Sequence, residues 1–114
     1  SMSHAVGADQ ELRLHHGTLN GVILPTILRF NKDHVGDKYA RISRAMGKDE
    51  STDLADEIEK LNEKIGLPSG LAAMGVTEDM IPGLVAHSMT DPSNMTTPRL
   101  PSQDEWEKLF LEAM

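Results

Sequence analysis

The sequence contains no cysteine, which excludes disulfides, thiolate metal sites and thiol nucleophiles together. Positive charge is in deficit: 11 Lys and Arg stand against 18 Asp and Glu, a net charge of −7. Nucleic acid and anionic membrane surfaces both require a basic face, so neither is expected as a partner. There is no basic run and no interleaving of basic with aromatic residues. No apolar run approaches the roughly 20 residues that a membrane span needs. The first residues carry neither a basic n-region nor a long apolar h-region. A cytoplasmic location is therefore expected. Also missing is any period-2 alternation rich in Val, Ile and Thr, so no strands are predicted.

What is present is helical periodicity broken by clear stops. The 114 residues suffice for one domain with a real core. A short helix is predicted over 2–13, capped by Ser3 and weakened by Gly7 by about 1 kcal/mol relative to Ala. Gly7 would also permit close approach of a backbone or cofactor. From about Thr18 to Asn31, Leu19, Val22, Ile23, Thr26, Ile27 and Phe30 form one stripe, widened by Leu24 and Leu28. Such a helix belongs at the centre of the domain, buried on most sides. Pro25 inside it removes the bond to the Gly21 carbonyl and should bend it.

Two amphipathic helices follow, over 35–46 (Val35, Tyr39, Ile42, Met46) and 52–65 (Leu54, Ile58, Leu61, Ile65), stopped by Gly47 and Gly66. The charged face of the second reads as a solvated outer face. Ser69 is placed as the cap of a short helix ending at Gly75. Thr77 then caps a helix with inner face Ile81, Leu84, Val85 and Ser88. Val76 and Ile81 form its hydrophobic staple, and Pro82 is an alternative first helical position. Thr90–Pro101 reads as a surface loop. Ser102-Gln103-Asp104-Glu105 is a capping box for a last helix bearing Trp106, Leu109, Phe110 and Ala113. The expected fold is all-α: six to seven helices around a buried, proline-containing central helix.

The chemistry-bearing groups are the five histidines, His4, His15, His16, His34 and His87. Adjacent histidines on a helix point about 100° apart, so His15 and His16 cannot serve one ion there. His4 and His16 converge only if the chain between them makes a hairpin. His16 precedes Gly17 and a helix N-terminus, where neutral imidazole, the metal-binding form, is favoured. Surface or capping histidines are the alternative. No Ser/His/Asp set, phosphate loop or dinucleotide fingerprint is present.

His16-Gly17, Asn20, Leu24-Pro25 and Phe30-Asn31 together resemble the motif of the iron-containing (group III) alcohol dehydrogenases, within the dehydroquinate synthase-like superfamily. The resemblance extends to His4-Ala5-Val6-Gly7-Ala8, Ile65-Gly66-Leu67-Pro68, Leu71, Met74-Gly75-Val76, Glu78-Asp79, Ile81-Pro82, Asp91 and Thr97-Pro98-Arg99. It implies that residues 1–114 are the helical C-terminal domain of a two-domain oxidoreductase whose dinucleotide-binding N-terminal domain is absent from this chain. The enzyme implied uses Fe²⁺ (or Zn²⁺) and NAD(P) to interconvert a small alcohol and an aldehyde or ketone. In that family one Asp and three His hold the metal. The motif carries the last His ligand to His16 and a proton-relay or positioning role to His4. The other ligands are expected outside these residues, so neither activity nor tight metal binding is expected of the chain alone. Self-association into a homo-oligomer through the exposed cleft face is a further expectation. Two rival readings stay open: a standalone helical interaction or regulatory module, and a domain of a metal-independent, maleylacetate-reductase-like enzyme.

Overall fold

The computed structural model describes residues 1–114 and contains helices and 3₁₀ turns only, as the periodicity predicts. The α-helices are α1 (Met2–Gly7), α2 (His16–Asn31), α3 (Lys38–Ala45), α4 (Leu54–Lys64), α5 (Ile81–Met89) and α6 (Gln103–Glu112). None is long and apolar enough to cross a membrane.

The first helix is half its expected length. After Gly7 the Asp9 carboxylate accepts the backbone N–H groups of Glu11 and Leu12 at 2.9 and 3.1 Å. That side-chain turn outcompetes helical continuation. Ser1, not Ser3, occupies the cap position, and Ser3 is buried. Leu12 and Leu14 then fold back against the core.

The core joins α1, α2, α5, α6 and the 71–76 segment, with Val6, Leu19, Leu71 and Phe110 fully buried. The inner face predicted for α5 (Ile81, Leu84, Val85, Ser88) and that of α6 (Trp106, Leu109, Phe110, Ala113) are buried. Both halves of the capping box form: Ser102 Oγ accepts from Glu105 N–H, and the Glu105 carboxylate accepts from Ser102 N–H. The helix starting at Ser69 is replaced by a 3₁₀ turn, Ala72–Met74, stopped by Gly75 at φ +93°. Another 3₁₀ turn, Pro92–Thr96, occupies the expected loop.

Helix α2 runs unbroken through Pro25. The Gly21 carbonyl, deprived of its backbone donor, accepts instead from Asn62 Nδ2 on α4 at 2.7 Å. A side chain at Gly21 would meet Leu67 at 2.6 Å, so glycine sets the close approach of α2 to the segment following α4. The expectation that α2 is buried on most sides is corrected: Leu24 and Arg29 face solvent. The stripes of α3 and α4 are likewise less buried than predicted. Ile42, Met46, Leu61 and Ile65 remain exposed although α4 packs on α2, because α3 packs chiefly on α4 and lies outside the core. Both helices end in Schellman turns at Gly47 and Gly66, with Lys48 N–H donating to Ser43 O and Leu67 N–H to Asn62 O. The charged face of α4 is solvated and paired, Arg29 with Asp56 and Glu59, and Glu57 with Lys48 and Lys60.

Candidate functional site

The site lies where α1 crosses the start of α2, on the firmest part of the core. Leu19, one turn into α2, is fully buried, and Ala5 and Val6 flank His4 from beneath. That anchoring brings His4 and His16 together: their rings stack, with centroids 5.2 Å apart and planes 18° from parallel. The hairpin that spacing alone could not guarantee is therefore built, by the Asp9 turn and by Arg13 at φ +47°.

His15 and His16 divide their work. His15 is the N-cap of α2, its Nδ1 accepting from Thr18 N–H at 3.4 Å. Its ring folds back over Gly17, where a Cβ would lie 3.0 Å from His15 Cε1. Gly17 thus makes room for the capping ring. His16 is the first helical residue, exposed, and its ring enters no hydrogen bond within the chain. Gly7 has a blander role than expected: a Cβ there would stand 3.6 Å from Leu19, an ordinary contact.

Asp91 escaped the sequence reading as a site residue. It caps the Pro92–Thr96 turn, accepting from Ser93 N–H at 2.7 Å and Ser93 Oγ–H at 2.5 Å, and its other oxygen lies 2.6 Å from His4 Nδ1. The Asp91 side chain is 6% exposed against 48% for His4. The Ser93 hydroxyl, then the Ser93 backbone N–H, hold its carboxyl well below the usual carboxylate range. Burial opposes them, and His4 and the chain's amino terminus add to the depression. Asp-Pro-Ser is legible as a turn cap; the partner 87 residues away is not.

A cavity of about 420 Å³ opens between Ser1–Ser3, Asn20, Ile23 and the residues Ser93, Asn94 and Thr97; neither His4 nor His16 lines it. Trp106 forms part of its wall, and the Trp106 indole N–H is buried without a protein acceptor. His4, His16 and Asp91 sit together, but no group of three or more His, Cys, Asp or Glu side chains has the geometry to hold a metal ion. His34 and His87 are exposed, and neither ring enters a hydrogen bond within the chain.

Comparison with known proteins bears on this arrangement. Residues 1–114 match the Fe-containing alcohol dehydrogenase family, C-terminal. The chain is 38% identical over 121 residues to a 4-hydroxybutyrate dehydrogenase of Cupriavidus necator, covering 100% of this chain and 32% of that protein. It is 31% identical over 117 residues to a lactaldehyde reductase of Escherichia coli (strain K12), covering 96% of this chain and 30% of the relative. A crystal structure of a 1,3-propanediol oxidoreductase superposes with TM-score 0.88 at 28% identity, over 99% of this chain and 31% of that one. The chain therefore spans about a third of the length of the relatives it matches.

Proposed function

This chain belongs to the Fe-containing alcohol dehydrogenase family, matching its C-terminal part over residues 1–114, and from that premise we propose that it is the metal- and substrate-side domain of an NAD(P)-linked dehydrogenase. The reaction is interconversion of a small alcohol with an aldehyde or ketone. The observation carrying this reading is the stacked His4–His16 pair at the mouth of α2.

His16 fits a divalent metal as one ligand among several. Its ring is exposed, engages no hydrogen bond within the chain and stands on a helix anchored in the core through Leu19, Val22 and Ile23. An imidazole so placed has a nitrogen to give. Since no group of three or more side chains in the chain could hold a metal ion, we take the remaining donors from outside these residues. Iron, or zinc, held there by His16 and outside donors would supply polarisation of an alcohol or carbonyl oxygen, and a nicotinamide cofactor would supply hydride chemistry. His4, stacked against His16, takes the proton that leaves the hydroxyl on oxidation and returns it on reduction. The cavity lined by Ser3, Asn20 and Ile23, within the size range of small-ligand sites, has room for the carbon chain of the alcohol. A cytoplasmic location accompanies this reading.

The test is to join residues 1–114 to the remaining two-thirds of the Cupriavidus necator relative and assay alcohol-dependent reduction of NAD(P). Turnover is expected, abolished by chelation, restored by Fe²⁺ and lost on His4→Ala. A folded fusion whose turnover is indifferent to chelation overturns the metal reading. The 114 residues alone are expected neither to turn over substrate nor to hold stoichiometric metal, and either result would overturn the claim that ligands come from outside them.

A further inference from the structure

Asp91 and His4 stand at opposite ends of the sequence, yet Asp91 Oδ2 lies 2.6 Å from His4 Nδ1. A carboxylate has no hydrogen to give, so the hydrogen between them belongs to Nδ1. The carboxylate is itself held. Its Oδ1 accepts from the Ser93 N–H and hydroxyl, which fixes the side chain at the head of the Pro92–Thr96 turn. That turn is tied to α5, because Asn94 Nδ2 donates to Ser88 O at 2.7 Å. The two oxygens thus divide: Oδ1 serves the turn and Oδ2 serves the ring. On its other side the ring rests on His16.

We propose that Asp91 is a positioning residue, locking His4 as its Nδ1–H tautomer with its ring against His16, so that the Nε2 lone pair is left to meet the reacting hydroxyl. The inference rests on the reading of His4 as the group that handles the proton. The two ring nitrogens are not equivalent, and the partner of one decides what the other can do. With the hydrogen on Nδ1, Nε2 can accept a proton. With the tautomer reversed, Nε2 carries a hydrogen and can only donate. Nε2 of His4 makes no hydrogen bond within the chain. A buried carboxylate orienting an imidazole is the same physical device that sets the tautomer in hydrolase triads. Here it is joined to a ring-on-ring contact instead of a nucleophile.

The test needs neither metal nor turnover. Long-range ¹H–¹⁵N correlation spectra of the labelled 114-residue chain, recorded about two pH units above the ordinary imidazole pKa, report which nitrogen of each histidine is protonated. His4 is assigned by its loss in His4→Gln. The expected result is a protonated Nδ1 and bare Nε2 at His4, distinct from the tautomer mixture at exposed His34 and His87 in the same spectrum. The reverse tautomer, or the same mixture as His34 and His87, overturns the proposal. In Asp91→Asn, Oδ1 continues to cap Ser93 and the amide NH₂ takes the place of Oδ2. A donor then faces Nδ1, and His4 is expected to switch to the Nε2–H tautomer. A folded Asp91→Asn chain with unchanged His4 overturns the proposal. Should that variant fail to fold by circular dichroism, the wild-type spectrum decides. Failure here leaves His16 and its metal role standing, since that role is read separately from chelation of the fused protein.

Discussion

Replacing Asn62 by Ala removes the only side-chain donor to the Gly21 carbonyl, the group that Pro25 deprives of its helical partner. A net hydrogen bond is worth about 0.5–1.5 kcal/mol, and a buried acceptor left alone costs about 1–3 kcal/mol. Gly21 and Asn62 are both half-buried. Asn62 also lines a cavity of about 310 Å³ with Val22 and Pro25, so water can reach the freed carbonyl. The low end applies, and Asn62→Ala should destabilise by about 1–1.5 kcal/mol, lowering the melting temperature by about 4–6 °C for a chain of this size. Pro25→Ala restores a backbone N–H to the same carbonyl. Its own effect on stability mixes relief of the helix with lost packing, but a double-mutant cycle cancels both. Asn62→Ala should then cost less in the Pro25→Ala background, with a coupling of about 0.5–1.5 kcal/mol. Urea denaturation of the four chains, analysed by linear extrapolation, measures it. A coupling below about 0.3 kcal/mol, within the additivity of independent sites, would refute the account of how α2 tolerates its proline.

Two other perturbations follow from the same geometry. A Cβ at Gly70 would overlap the backbone carbonyl of Met114, and the 113–114 carbonyls accept from Leu71 and Ala72 at 2.8 and 3.1 Å. Gly70→Ala should therefore cost about 1–3 kcal/mol through those two bonds; a urea midpoint unchanged from wild type would show that the chain end is not fixed there. Asp53, Glu59, Glu57 and Asp49 have folded-state pKa values held below their ordinary ones, chiefly by Lys32, Arg29, Lys48 and Ser51 respectively. The unfolded chain then binds more protons, so stability is full above the ordinary carboxylate range and declines as pH falls through about 4 and below. A urea midpoint that stays level or rises toward acid contradicts this, and added salt should shrink the dependence because the Lys32–Asp53 and Arg29–Glu59 pairs are exposed.

The helices were legible because their periods, caps and stops are local. Ser102 and Glu105, Gly47 and Gly66, and the inner faces of α5 and α6 all behave as their spacing predicts. Extent of burial was not legible, because a stripe such as Ile42 and Met46 reports which face is apolar and not whether another layer exists to cover it. The first helix was over-extended because Asp9 offered the backbone a competing partner. At the site, the residue types were visible and the pairings were not. His15 as a cap rests on a 3.4 Å contact within one turn. His4 with His16, and His4 with Asp91, depend on how three separate segments pack. The family motif picked His16 over His15, a choice that spacing left open and to which the capping role of His15 lends support.

The central claim is that His16, and not its neighbour, is this domain's contribution to a metal site. Its most direct test is metal content per chain in the fusion with the remainder of the Cupriavidus necator relative, purified with Fe²⁺ present and measured for wild type, His16→Ala and His15→Ala. The account predicts one metal per chain in the wild type, its loss in His16→Ala and its retention in His15→Ala, where only a helix cap is removed. Stoichiometric metal in a folded His16→Ala protein would contradict it.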